Sequence, residues 1–126
     1  MSERADTLRV YNGGDLVFSS NGSWLHPLFD LEDHLATNRY EMRAVHVEDT
    51  IVGKAAAMLM VRMGVRSAYA GILSIPGEEV FRAAGVVYDC GRRVDRIDCR
   101  TEELLASVDD IEQAYTVLRE RAGRPA

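Results

Sequence analysis

The sequence predicts an α/β domain, and two observations support this prediction. Three apolar runs with strand composition alternate with two helix-like segments, and the connections between them are short. The runs span residues 42–48, 65–71 and 86–90, and the helices span residues 51–63 and 77–84. Gly64 and Gly85 follow the two helices, and glycine readily adopts the left-handed conformation that ends a helix. This β-α-β-α-β order is typical of three parallel strands joined by right-handed crossovers.

Length and composition fit one domain over residues 1–126. The chain is 47% hydrophobic, which is enough for a sizeable core. Its net charge of -5 argues against sequence-independent nucleic-acid binding, which needs a positive surface. No apolar run reaches the roughly 18 residues of a membrane span, and the N-terminus has no apolar signal segment. We expect a reduced, cytoplasmic protein without nucleic-acid or membrane partners, with residues 1–6 and 122–126 frayed.

The N-terminal third predicts a β-hairpin followed by a helix. Residues 8–11 and 16–20 are β-prone, and the Asn-Gly-Gly-Asp segment at 12–15 between them is a hairpin signal. The helix that follows has two alternative starts. Either Ser23 caps it, or His26 does, with Pro27 as the first helical residue.

The C-terminal part predicts smaller elements. Residues 94–99 are expected to form an edge strand, and Gly91 is expected to break the sheet before it. Thr101 is expected to cap a short helix over residues 102–107. Asp109 and Glu112 have the spacing of a capping box, which predicts the start of a last helix.

The segment from Glu48 to Gly64 is the centre of the predicted fold. Its helix is apolar on nearly every side and must therefore be buried on most of its surface. Gly53 and Lys54 lie at its start, while Ser74 precedes the second crossover helix. Because both helices begin at the carboxyl edge of the parallel strands, their N-termini and Lys54 would favour an anion between them.

Other interpretations of these residues stay open. In an alternative interpretation neither residue binds a ligand. The Lys54 amine then extends to water, and Ser74 is an ordinary helix cap. Asp49 either caps the first helix or orients the loop before it. Arg100 belongs to a mixed-charge segment and is a further candidate anion ligand. A salt bridge between Lys54 and Asp49 would favour a structural role for Lys54.

Cysteine and histidine spacing does not predict a metal site. Cys90 and Cys99 form no Cys-x-x-Cys pair, so they are either unpaired thiols or a redox pair. His46 and Glu48 share one face of a predicted strand, and we interpret His46 as a sheet residue rather than a ligand or catalyst.

The stretch D-T-I-V-G-K-A-A-A-M-L resembles a known family at Asp49, Gly53, Lys54 and the alanines 55–57. It resembles an uncharacterised bacterial domain-of-unknown-function family with a cytidine-deaminase-like fold. Pattern-level similarity extends over residues 8–118. The resemblance implies a three-layer α/β/α fold with a mixed sheet of about five strands.

The resemblance also implies that the starts of the two crossover helices correspond to the place where true deaminases hold zinc. Those enzymes have His-x-Glu or Cys-x-Glu at the first helix and Pro-Cys-x-x-Cys at the second. Here the matching residues are 53–55 and 76–80, and none of them is a metal ligand of that set. We therefore expect no zinc, no other cofactor and no hydrolytic deamination. The segment at 97–100 departs from the family pattern at Cys99, although Arg100 matches.

These observations lead to three hypotheses about function. The first is a small-molecule-binding domain in which Lys54 and Gly53 hold an anionic or phosphate-bearing ligand, with Ser74, Asp49 and Arg100 around it. The second is a structural or partner-binding subunit. The third is a thiol redox protein that uses its two cysteines. The identity of a ligand, any catalysis and the oligomeric state, including a homo-oligomer, stay open.

Overall fold

The computed structural model describes residues 6–97 and 100–124, which form a five-stranded sheet and five α-helices. The strands are β1 (Leu8–Asn12), β2 (Asp15–Ser20), β3 (Val45–Val52), β4 (Ser67–Ser74) and β5 (Val87–Val94). The helices are α1 (His26–Thr37), α2 (Lys54–Met63), α3 (Ile75–Ala84), α4 (Arg100–Leu104) and α5 (Ile111–Arg121). A single 3-10 turn, Met42–Ala44, precedes β3.

The sheet has the strand order β2-β1-β3-β4-β5. Strands β3, β4 and β5 are parallel, and β1 pairs antiparallel with both β2 and β3. This topology confirms the three parallel strands, the crossover helices and the hairpin that extends the sheet. A mixed five-stranded sheet is therefore shown.

The parallel strands lie further along the chain than predicted. β3 begins at Val45 because residues 42–44 form a turn, and it continues through the polar segment at 48–50 to Val52. β5 likewise runs through Gly91 to Val94 instead of breaking there, and residues 95–97 are not a strand. Neighbouring strands supply the backbone partners in these stretches, as in the pairing of Val52 with Leu73. Residues 98 and 99 of the predicted edge strand lie outside the described residues.

One face of the sheet is apolar and covered by helices. Its buried side chains alternate along the strands and include Leu8, Val10, Val45, Val47, Ala68 and Ala70. The residues between them, such as Arg9, Glu48 and Tyr69, are half-buried or exposed. Helices α1, α3 and α5 all contact α2. Among the described residues, these helices pack on the apolar face, and the predicted α/β/α arrangement with helices on both faces is not seen. The polar residues at alternate positions explain this, because they leave the second face suited to water.

Helix α2 lies at the centre of the molecule, as its composition predicted. Every residue from Lys54 to Met60 is buried. The sheet covers one side of α2, α1 and α3 contact it, and α5 packs against it through the buried Ala114 and Leu118. The N-termini of α2 and α3 also meet, since a Cβ atom added to Gly77 would lie 3.0 Å from the carbonyl carbon of Gly53.

The predicted helix ends are confirmed only in part. Gly64 and Gly85 have φ angles of 91° and 73° and end α2 and α3 as expected. The last helix is capped by Asp110 rather than Asp109, because the Asp110 carboxylate accepts from the amides of Glu112 and Gln113. For α1, neither predicted start is correct. Its N-cap is Leu25, without a side-chain cap.

One further helix prediction is corrected, because Thr101 lies inside α4 and is not its cap. After α5, the Arg124 guanidinium pairs with Asp30 at 2.9 Å, and the Arg124 carbonyl oxygen accepts from Arg119. The fraying of both chain ends stays a prediction from the sequence. Residues 1–5 and 125–126 lie outside the described residues.

The buried position of α2 leads to a stability prediction. Leu59→Ala removes a side chain that is 4% exposed and should lower the free energy of unfolding by about 2–5 kcal/mol. Leu16→Ala is the control, because Leu16 is 53% exposed and its truncation should change stability by less than about 0.5 kcal/mol. Urea denaturation measures both, and equal midpoints would show that α2 is not central to the core.

Candidate functional site

The N-terminus of α2 already holds an anion, and this anion is part of the chain. The Glu102 carboxylate accepts from the Lys54 amide at 2.9 Å with one oxygen and from the Ile97 amide at 3.0 Å with the other. Gly53 makes this approach feasible, because a Cβ atom there would collide with the carboxylate. The predicted affinity of this helix end for negative charge is therefore satisfied by a buried glutamate from α4.

The Lys54 side chain points to the other end of α4. Its amine donates to the carbonyl oxygen of Leu105 at 2.7 Å and to Asp109 Oδ1 at 3.2 Å. The Lys54 side chain is 10% exposed, whereas the Asp109 side chain is 95% exposed. The cation is thus buried, and its acidic partner lies in solvent.

Lys54 forms part of the wall of a cleft of about 660 Å³. The cleft runs between α3, the start of α2, residues 96–97 and residues 102–111. Most of its wall is apolar, from Met58, Pro76, Val80, Ala83, Ala84, Ile97, Ala106 and Ile111. Its charged residues are Lys54, Arg96, Glu79, Glu102, Glu103 and Asp109.

A second pocket of about 290 Å³ lies on the other side of Glu102. Its wall includes Asp49, Gly53 and Trp24. Asp49 has no salt bridge or side-chain hydrogen bond to another side chain within the described ranges. Burial raises the pKa of Asp49 to about 7, although hydrogen bonds from the amides of Ile51 and Thr50 act in the opposite direction.

The five residues predicted to form one site are not brought together. Asp49 and Gly53 line the smaller pocket, and Lys54 lines the larger cleft. Ser74 is fully buried and accepts from the Gly77 amide at 3.1 Å, so its hydroxyl serves as the cap of α3. Arg100 is exposed and lines neither cavity. Ser74 and Arg100 therefore line neither the cleft nor the smaller pocket.

Sequence reasoning missed Glu102, Asp109 and Trp24. Glu102 lies 48 residues from Lys54 and Asp109 lies 55 residues from it, so no local pattern joins them. Trp24 is unusual because its φ angle is 56°, a left-handed conformation that bulky residues seldom adopt. It lies in the segment that connects β2 to α1.

A polar arrangement also occurs on the uncovered sheet face. His46 Nδ1 lies 2.7 Å from Ser67 Oγ, and His46 Nε2 lies 3.8 Å from Glu48. His46 and Glu48 share a face, as predicted. None of the three lines the cleft or the smaller pocket, but Glu48 lines a third pocket of about 200 Å³ together with Arg9, Asp49 and Tyr69. His46 lies within β3, which fits its predicted role as a sheet residue.

The described residues contain no group of three or more histidine, cysteine or acidic side chains arranged to hold a metal ion. Cys90 is half-buried, and its proposed partner Cys99 lies outside the described ranges. No helix in the part of the chain that the structure describes is long and apolar enough to cross a membrane.

The fold and these cavities define a mixed α/β domain with two concave sites beside the start of one buried helix. The sequence matches, over residues 2–122, the family described as TM1506, domain of unknown function (DUF1893), and the chain belongs to this family. It is similar to the crystal structure of a DUF1893 family protein (TM1506) from Thermotoga maritima. The TM-score is 0.81 at 23% sequence identity, covering 92% of this chain and 80% of that chain, which shows the fold. No curated protein matches the sequence.

The Glu102 contacts lead to a second stability prediction. Glu102→Ala leaves the amides of Lys54 and Ile97 without their acceptor and should cost about 2–4 kcal/mol. The neighbouring Glu103→Ala should change stability by less than about 0.5 kcal/mol, because Glu103 is exposed. Chemical denaturation of both variants tests this, and equal losses would contradict a special role for Glu102.

Asp49 leads to a prediction about pH. Its pKa is raised from 3.8 to about 7 in the folded protein, so the folded state holds a proton that the unfolded state releases between these values. Its contribution to stability is therefore fully present below the unfolded pKa and is lost as the pH rises through 7. Asp49→Asn should stabilise the protein by about 1–3 kcal/mol at pH 8, with a smaller gain at pH 5. Thermal melts at both pH values test this, and an equal gain at both would contradict the shift.

Proposed function

We propose that this protein is a small-molecule-binding domain whose cleft beside Lys54 takes an amphipathic anion, a carboxylate or phosphate with an apolar body. One observation carries the proposal. Lys54 is a buried cation in the wall of a large cleft, and its acidic partner Asp109 is 95% exposed. An ion pair with an exposed partner contributes little stability, roughly 0–1 kcal/mol.

The ligand head group would replace Asp109 at the Lys54 amine. Asp109 can turn into water at small cost, because it lies at the surface before the cap of α5. The bond from Lys54 to the Leu105 carbonyl would stay and would hold the amine in position. The first hypothesis is thereby revised, since the start of α2 is occupied by Glu102 and the anion would contact the lysine side chain instead.

The apolar wall of the cleft supports a ligand with an apolar body. Met58 of α2 and Val80 and Ala83 of α3 lie on one side, and Ile111 lies at the start of α5. Small-molecule sites are mostly apolar with a few placed polar groups, and a volume of about 660 Å³ lies within their usual range.

We further propose that the scaffold is a zinc-less relative of the cytidine deaminases in the cytoplasm. The motif at residues 49–57 supports this, as does the meeting of two helix N-termini at Gly53 and Gly77. The absence of zinc and of deaminase activity stays a prediction from the sequence.

A second candidate is a partner-binding subunit, with or without a homo-oligomer. The sheet face without helices favours it, since Tyr69 and Val87 are 38% and 73% exposed there. A protein partner would cover this face and leave the cleft empty. The third hypothesis, a thiol redox function of Cys90 and Cys99, stays a prediction from the sequence.

Thermal shift and titration calorimetry with octanoate, phenyl phosphate and inorganic phosphate test the cleft, with octanol as the neutral analogue. Octanoate or phenyl phosphate should bind and octanol should not. Lys54→Met should weaken binding at least about tenfold because the cation is lost. Asp109→Asn should tighten it about three- to tenfold because the competing carboxylate is removed.

Asp15→Asn is the matched control, since it makes the same charge change at the exposed first residue of β2. It should leave binding unchanged. Binding of phosphate alone would indicate that the apolar wall is not used. If no probe binds, or if Lys54→Met binds as the wild type does, the cleft is not a ligand site and the partner-binding role is favoured.

A further inference from the structure

The smaller pocket differs in charge from the cleft beside Lys54. Its wall contains the two acidic residues Asp49 and Glu102 and no lysine or arginine. Glu102 is already bound by two backbone amides. Asp49 accepts from the backbone amides of Ile51 and Thr50 in its own strand, and no cation pairs with it among the described residues. A ligand cation would therefore be its first charged partner.

Trp24 supplies an aromatic wall. Its indole nitrogen donates to Thr101 Oγ1 at 3.1 Å, which fixes the ring against α4. The ring also contacts His26 edge to face, with centroids 5.4 Å apart. Trp24 keeps 42% of its surface exposed and holds a backbone conformation that is unfavourable for a bulky residue. The fold thus presents an indole at the pocket at a conformational cost.

We propose that the pocket between Asp49 and Trp24 binds a small organic cation, an amine or amidine attached to a flat apolar group. The cation would pair with the Asp49 carboxylate, and the indole would contact the flat group and attract the charge. A cavity of roughly 150 Å³ holds a benzene ring, so a pocket of about 290 Å³ accommodates a substituted ring.

The protonation of Asp49 makes this binding pH-dependent. The charged and titratable groups around Asp49 are Glu102 from α4 and Arg9, Glu48, Asp6 and Tyr69 from the strands and their approach. Arg9 is paired with Asp6 at 3.4 Å, and among the described residues no salt bridge joins Arg9 to Asp49. With a pKa of about 7, Asp49 is mostly protonated at pH 6 and mostly ionised at pH 8. A cation should therefore bind about tenfold more tightly at pH 8 than at pH 6.

The test uses the full chain, with benzylamine and benzamidine as cationic probes and benzyl alcohol as the neutral isostere. NMR titration at pH 8 and pH 6 reports both affinity and location. The cations should bind with shifts at the Trp24 indole and at Gly53, while benzyl alcohol should bind at least about tenfold more weakly. Both cations stay protonated over this pH range, so a change in their affinity reports the protein.

Asp49→Asn should weaken cation binding at least about tenfold and abolish its pH dependence, because the neutral amide cannot ionise. Trp24→Leu should weaken it about fivefold through loss of the aromatic face. Asp15→Asn is the matched charge control and should bind as the wild type does. Thermal melts of each variant confirm that it is folded.

Three results would overturn the proposal. The first is no saturable binding of either cation at concentrations up to about 10 mM. The second is an equal affinity for benzyl alcohol. The third is a folded Asp49→Asn variant that binds the cations as the wild type does. The test is independent of the Lys54 cleft, because Lys54 does not line this pocket.

Discussion

The structure depends on a reciprocal contact between the start of α2 and α4. Glu102 of α4 accepts from the backbone amide of Lys54, and the Lys54 side chain donates to the Leu105 carbonyl just beyond the end of α4. Each helix end thus gains an oppositely charged partner that matches its dipole. Because both contacts are buried, loss of either would leave polar groups unpaired away from water. This contact fixes the short helix α4 on the core.

The same contact creates the two cavities. Glu102 and Ile97 line both the cleft and the smaller pocket, and each cavity has its own wall beyond them. The cleft contains a buried cation, Lys54, whose acidic neighbour Asp109 is exposed at the surface. The pocket contains an acid, Asp49, without a cation in its wall. The two sites therefore suit ligands of opposite charge although they lie on either side of one glutamate.

The arrangement of helices explains why α2 has so little polar surface. The sheet covers one side, while α1, α3 and α5 contact the others, so even the first turn with Lys54 is buried. The opposite face of the sheet is polar and has no helices on it among the described residues. Its side chains at alternate positions, such as Arg9 and Glu48, are exposed or half-buried, and a second layer of helices over them would have to bury these charges.

The sequence by itself determined the local features of this protein. The apolar runs, the glycines at the helix ends and the burial of α2 all follow from spacing and residue type, and all agree with the structure. For Ser74 the sequence left a helix cap and a ligand contact open, and the structure shows the cap. Tertiary structure decided the strand ends, because the polar residues at 48–50 look like a turn until a neighbouring strand pairs with them. It also decided the sites. Asp49 and Lys54 are five positions apart and line different cavities, whereas the partners of Lys54 come from 48 to 55 residues away, a distance over which periodicity carries no information.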